Sequence, residues 1–149
     1  MSAPDSIDLK ILGMLAKDSK QKYADLAEAL NLSAPSVHAR VKKLEQSGVI
    51  KSYGISIDSN MVGLKLCAFV RVTTESVSFA DVLKEFQSLN EIEELHSVAG
   101  EECLLVKVRT SDSQALSELL DRMRKIKGVR KTITSVVLAT GIDRGPSLA

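Results

Sequence analysis

Tryptophan is absent and aromatic residues make up 3% of the chain, which excludes the ring platforms on which single-stranded nucleic acid stacks its bases. Histidine occurs only as His38 and His96, and cysteine only as Cys67 and Cys103. There is no CxxC and no His/Cys/carboxylate spacing, hence no zinc site and no disulfide framework. Neither a nucleophile elbow nor a glycine-rich phosphate loop occurs. Catalysis finds no anchor, and the chain reads as a non-enzyme without metal or cofactor. No basic and apolar leader opens the sequence, and no run approaches the about 18 apolar residues of a membrane span. The expected location is cytoplasmic, with no membrane partner. Charge of one sign is lacking too: 20 Lys and Arg face 19 Asp and Glu across 149 residues, so any preference for a polyanion must be local.

What is present falls into two halves with different periods, meeting near Asp58-Ser59-Asn60. Asp5-x-x-Asp8 offers an N-cap and a first-turn carboxylate, followed by Ile7, Ile11, Leu12 and Leu15 on one helical face. A short second helix, Lys22 to Leu30, has Ala24, Leu26, Ala27 and Leu30 as its apolar face and stops at Asn31. Ser33 then caps a third helix with Pro35 in its first turn, ending at Gly48. Val37, Val41 and Leu44 form its narrow buried stripe, while Ser36, Ala39, Arg40 and Lys43 project away. Two short helices joined by a tight turn, the second thinly apolar on one side and polar on the other, meet the requirements of a helix-turn-helix. Residues 49–57 alternate as a strand leading out of this unit, with Lys51 and Tyr53 on one face.

The second half repeats itself. Apolar residues at 79, 82, 83, 86 and 89 recur at 116, 119, 120, 123 and 126, a displacement of 37 residues from Phe79 to Leu116. Alternating strands flank both helices, with Leu66, Ala68, Val70 and Val72 on one strand face and Leu104, Val106 and Val108 on another. Two such βαβ units interlock as a four-stranded antiparallel sheet with both helices on one side, the ferredoxin-like arrangement. The predicted class is therefore α+β: a helix-turn-helix domain over 1–50, a linker strand over 51–63, and a ferredoxin-like βαββαβ domain over 64–149. The other sheet face, with Cys67, Phe69, Cys103, Leu105 and Val137 as candidates, is either a homodimer interface or a solvated surface, since Arg71, Lys107 and Arg109 point to it as well. Cys67 and Cys103 begin the first and third strands, expected as parallel neighbours, and read as buried inert thiols or as a redox pair. His96 reads as a satisfied strand residue.

Local charge favours double-stranded DNA as partner. Segment 33–53 carries Arg40, Lys42, Lys43 and Lys51 against Glu45 alone. Lysine and arginine on phosphates supply affinity, while Ser36, His38 and Arg40 are candidates to reach base edges. A denser run, Arg122, Arg124, Lys125, Lys127, Arg130 and Lys131, sits at a helix C-terminus where the dipole favours cations. Nearby Glu91, Glu93, Glu94, Glu101 and Glu102 are expected to compensate it. The turn around Gly100 is either only a turn or a site whose N–H groups hold a carboxylate while Glu101 and Glu102 hold an amino group, the polarity of an α-amino acid.

Leu32-Ser33-x-x-x-Val37-x-x-Arg40-Val41-Lys42-x-Leu44-Glu45-x-x-Gly48-Val49-Ile50, with Asp25-Leu26-Ala27 before it and Ala99-Gly100 after, resembles the Lrp/AsnC, or feast/famine, transcriptional regulators. The resemblance spans nearly the whole chain. It implies a winged or simple helix-turn-helix, a linker strand, a βαββαβ ligand-sensing domain, and dimers pairing through their sheets and assembling further, commonly to octamers. DNA-facing candidates are Ser33, Ser36, His38, Arg40, Lys42 and Lys43. The implied effector site gathers Gly100, Glu101, Glu102, Cys103, Thr132 and Thr134. Many relatives carry an Asp-aromatic pair after the turn; here Cys103-Leu104 stands instead, leaving Glu101 or Glu102 to substitute for the carboxylate. The expected function is sequence-specific transcriptional regulation, with assembly or DNA affinity modulated by a small molecule, expected to be an amino acid. The alternatives are an architectural DNA-compacting protein without effector and a sensing module acting on an enzyme partner.

Overall fold

The computed structural model describes residues 3–75, 79–100 and 103–146. They form two compact units, one reaching to Ser56 and including the chain from Ile142, the other running from Ile57 to Gly141. The division falls within the predicted linker 51–63.

The first unit contains α1 (Ser6–Lys17), α2 (Tyr23–Leu30) and α3 (Ala34–Gln46). Local chemistry explains each boundary. Asp5 Oδ1 accepts from the backbone N–H of Ile7 and Asp8 at 2.9 and 2.8 Å, and Asp8 Oδ2 accepts from Asp5 N at 3.1 Å, a reciprocal capping box. Asn31 ends α2 in the left-handed conformation at φ 53°, which short amide side chains tolerate best after glycine. Ser33 Oγ accepts from Ser36 N at 3.3 Å to start α3. Gly48, at φ 74°, turns the chain back so that Ile50 N reaches Leu44 O at 3.1 Å. Ile11, Leu15, Leu26, Ala27, Val37 and Val41 form the core, with Tyr23 packed against it. Tyr23 takes the place expected for Ala24, which is exposed.

One polar tie crosses this unit. Arg40 Nη1 donates to Asp5 Oδ2 and Asp8 Oδ1, each at 2.7 Å, joining the middle of α3 to the start of α1. Asp8 is buried, and a buried carboxylate needs such a counter-charge.

Residues 49–57 do not form the predicted strand. Strand structure exists only as a hydrogen-bonded ladder, and no second strand of this chain lies beside them among the described residues, so Ile55 and Ile57 remain 78% and 59% exposed. The expected boundary at Asp58-Ser59-Asn60 is a turn in which Asp58 Oδ1 accepts from Asn60 N at 2.9 Å.

The second unit contains β1 (Leu66–Thr74), α4 (Phe79–Gln87), β2 (Ile92–Ser97), β3 (Leu104–Thr110), α5 (Ser113–Lys125) and β4 (Val129–Val136). The sheet order is β2-β3-β1-β4 and every neighbouring pair is antiparallel. Ala68, Val70, Val72, Leu104, Val106 and Val108 meet Val82 and Phe86 of α4 and Leu119 and Met123 of α5 in one core. Both helices therefore cover the same sheet face. The displacement of 37 residues maps Val82 and Phe86 onto Leu119 and Met123, and all four are buried.

The expected parallel pairing of β1 with β3 is corrected: the strands are antiparallel, with Cys67 opposite Arg109 and Leu104 opposite Val72. In a split βαβ unit the strand inserted next to β1 runs against it. Cys67 and Cys103 therefore lie at opposite ends of β1, about 15–20 Å apart along the strand, and form no redox pair within the chain.

The Arg40 tie makes the fold acid-sensitive. The N–H of Asp8, and after it Arg40, hold the Asp5 carboxyl below its ordinary value of 3.8. A pKa depressed on folding contributes stability that is complete above the unfolded value and lost as pH falls through the folded one. Thermal unfolding followed by circular dichroism is expected to give a flat Tm from pH 7 to about pH 5 and a declining one below about pH 4. At pH 7, Asp8→Ala is expected to cost about 2 kcal/mol by removing the reciprocal cap and one of Arg40's two partners.

Candidate nucleic-acid interface and sensing surface

On α3, at about 100° per residue, Val37, Val41 and Leu44 occupy one arc facing the core. Each flank of that arc is engaged. Arg40, about 70° to one side, reaches Asp5 and Asp8. His38 and Glu45, about 80° to the other, meet two tyrosines: the His38 ring stands edge-on to Tyr23 at a centroid distance of 5.7 Å, and Tyr53 Oη donates to Glu45 Oε1 at 2.7 Å. The direction opposite the core carries Pro35, Ala39, Lys42, Lys43 and Gln46, all exposed, with Ser36 at the edge on Arg40's side.

The six predicted DNA-facing residues thus separate. Lys42 and Lys43 share the outward face. Ser33 is the cap of α3, and Ser36 supplies the N–H that it binds. Arg40, expected to project outward, instead turns along the flank to pair with Asp5 and Asp8, which also raise its own pKa. His38 lies on the flank against Tyr23. Gln46 is not among the predicted site residues, and Ala39 is predicted only to project outward; the signal that finds both is helical phase, with the apolar seam as the reference direction.

In the second unit the face away from α4 and α5 carries Phe69, Leu105 and, opposite Arg71, Ile133. Ion pairs border this apolar centre. Lys107 Nζ lies 3.0 Å from Glu94 Oε1 and 3.3 Å from Glu93 Oε2, Arg109 Nε lies 2.5 Å from Glu93 Oε1, and His96 Nε2 lies 3.1 Å from Glu94 Oε2. Burial opposes ionisation of Glu93, and Arg109 with Lys107 outweighs it, holding the carboxyl below its ordinary range. His96 and Lys107 do the same for Glu94. The face is neither wholly apolar nor simply solvated.

In the basic run at the end of α5 and beyond it, Arg122 pairs with Glu91 as expected, while Arg124 pairs with Asp121 at 3.1 Å and Arg130 with Glu75 at 3.4 Å; the expected Glu93 and Glu94 go to Lys107 and Arg109 instead.

Of the effector candidates, Glu101 and Glu102 lie outside the described residues. Gly100 is exposed between β2 and β3. Cys103 N donates to Val72 O at 3.0 Å, and Val72 pairs with Thr132 on its other side, so the turn and Thr132 share one end of the sheet, about 10 Å apart across β1. Thr132 and Thr134 stand opposite Val72 and Val70 on the helix-covered face, where Thr132 Oγ1 accepts from Arg124 Nε at 3.2 Å. A cavity of about 100 Å³ lined by Thr74, Phe79, Val82, Ser97, Cys103 and Leu104 includes Cys103 but neither threonine. It is smaller than the about 300 Å³ at which small-molecule sites begin.

Residues 4–51 match a winged helix-turn-helix DNA-binding domain and residues 67–146 the Lrp/AsnC ligand binding domain. The chain belongs to the Lrp/AsnC family. It is 33% identical over 136 residues to the HTH-type transcriptional regulator FL11 of Pyrococcus horikoshii, covering 91% of this chain and 90% of that protein. It is 36% identical over 139 residues to the HTH-type transcriptional regulator LrpA of Mycobacterium tuberculosis, covering 93% and 92%. The structure of a feast or famine regulatory protein from M. tuberculosis complexed with L-methionine superposes with a TM-score of 0.92 at 33% identity, covering 99% of this chain and all of that one. This Lrp/AsnC chain is a transcriptional regulator with a DNA-binding helix-turn-helix and a ligand-binding domain. Among the described residues, no helix is long and apolar enough to cross a membrane.

The site's departure at Cys103 has a measurable chemistry. The backbone N–H of Thr74 and then its hydroxyl donate to the Cys103 sulfur and lower the thiol's pKa. Thr74→Val, which removes the hydroxyl alone, is expected to slow alkylation of Cys103 by iodoacetamide at pH 7, followed by peptide mass spectrometry. Mild diamide oxidation is expected to yield no intrachain disulfide.

Proposed function

We propose that α3 enters the major groove of duplex DNA with Ala39, Lys42, Lys43 and Gln46 foremost and Ser36 at the near edge. The supporting observation is that Arg40, His38 and Glu45 hold the two flanks of α3 and that the exposed face opposite the core is cationic and small. Lysine there meets phosphate, and Gln46 and Ser36 are of the types that hydrogen-bond base edges. Arg40 and His38 orient the helix from its flanks. A dimer presents two such helices to half-sites about one helical turn apart. The open sheet face supports pairing of protomers: an apolar centre ringed by charges of both signs is self-complementary under two-fold symmetry. Pairing can repeat to a larger assembly such as an octamer.

The second unit takes an amino acid, which shifts the balance between assembly states with different DNA affinity. The support is the ligand-binding domain match and the L-methionine held by the M. tuberculosis relative. Cys103 and Thr132 flank β1 at one end of the sheet, with Gly100 in the turn before Cys103, and the ligand lies there between two protomers. The alternative, a DNA-compacting protein with no effector, is favoured by one feature: Cys103-Leu104 lacks the carboxylate that would face an amino group.

Two measurements decide between these readings. In fluorescence-anisotropy titrations, Lys42→Ala with Lys43→Ala is expected to weaken duplex binding and reduce the slope of log affinity against log salt by about two units. Arg40→Ala is expected to lower the Tm and leave that slope unchanged while the chain is folded. A double variant with unaltered slope removes this face from the interface. Isothermal titration of the full chain with the twenty amino acids is expected to give heat with L-methionine or another apolar member. Silence across all twenty supports compaction without effector.

A further inference from the structure

Tyr53 lies beyond the recognition helix, yet it is tied back to it. Gly48 reverses the chain, Ile50 N binds Leu44 O, and the Ile50 side chain packs against the first unit's core. Three residues later the Tyr53 hydroxyl donates to Glu45 in the last turn of α3 at 2.7 Å. Past this point Ile55 and Ile57 are exposed. A half-exposed ring with two soft torsions, held at its tip by a charged acceptor, restrains the backbone that carries it.

We propose that Tyr53 is a positioning residue for DNA reading: its hydrogen bond to Glu45 sets the course on which the chain leaves the recognition helix and so the half-site separation that the assembled protein accepts. This rests on the DNA-binding reading above and names the part of that machinery which controls spacing. The latch has a second consequence. Glu45 is the single carboxylate on α3, and the Tyr53 hydroxyl holds it on the flank, away from the face bearing Lys42 and Lys43, where it would repel phosphate. The pairing also leaves a spectroscopic mark. Partial burial, then the hydrogen bond and charge of Glu45, and then Tyr23 push the Tyr53 phenol well above the ordinary tyrosine value. Removing Glu45 brings it down.

The test uses the full chain and duplexes that the wild-type protein enriches from a randomised pool, with one to five base pairs then inserted between the enriched half-sites. Wild type is expected to lose about tenfold in affinity when about half a helical turn is inserted, because the second half-site rotates to the far side of the duplex. Tyr53→Phe and Glu45→Ala are expected to flatten that dependence to about threefold. Glu45→Gln, whose amide oxygen still accepts from the phenol, keeps the wild-type profile. A purely structural role lowers the Tm and leaves the spacing profile intact. The ultraviolet tyrosinate titration of Glu45→Ala is expected to move to lower pH than wild type, a readout independent of DNA. Should Tyr53→Phe fail to fold, the contrast between Glu45→Ala and Glu45→Gln decides the matter. A sharp wild-type profile retained by Tyr53→Phe or by Glu45→Ala overturns the proposal, as does wild-type binding with no spacing preference, while DNA reading stands. If wild type enriches no duplex, DNA reading itself fails, and this proposal with it.

Discussion

The pairing of Arg40 with Asp5 and Asp8 is the constraint on which the first unit depends. Asp8 is buried and completes the cap of α1, so its charge would be costly without a counter-ion. One guanidinium nitrogen answers both carboxylates at 2.7 Å and thereby sets the rotation of α3 about its own axis. The apolar seam permits some roll; a charged contact on one flank and an aromatic contact on the other do not. The outward face of the helix is what remains when those contacts are satisfied. A positive residue on a recognition helix is thus no sure sign of a nucleic-acid contact, because the helix must first be held.

The second unit solves a different problem with the same kind of parts. Its two helices cover one face of the sheet, and the central strand β3 alternates between buried and half-buried side chains, so every second one is committed to the opposite face. There Glu93 and Glu94 occupy the irregularity between Ile92 and Glu94, where the ladder shifts register, and both reach cations of β3. The bulge lets neighbouring carboxylates serve one face instead of splitting between two. An apolar centre within such a rim has the build of an interface between like partners: the centre supplies burial and the rim supplies orientation.

Much of this was legible without coordinates, and the reason is chemical. The Asp5 and Ser33 caps, the left-handed Asn31 and the Gly48 reversal rest on interactions a few residues long, for which the spacing of donors and acceptors is written directly in the chain. The repeat every 37 residues identified two βαβ units because buried faces demand fixed apolar periods. The misreadings share the opposite character. Arg40 looked outward because its partners lie 35 and 32 positions earlier. Cys67 and Cys103 were assigned to the same end of two neighbouring strands because strand direction depends on how the second unit threads through the first. The segment 49–57 has a strand's alternation but lacks a neighbour to complete it.

By itself, then, the amino-acid order determined where helices start and stop, which side chains face inward, how many strands the sheet has, and to which family the chain belongs. Tertiary structure alone decided which cations are internal, which direction α3 shows to its surroundings, and that the turn after β2 and the threonines of β4 stand a strand apart. The physical reason is range: caps and periodicity act over one or two turns of chain, whereas a charge finds its partner only once distant segments have been brought together.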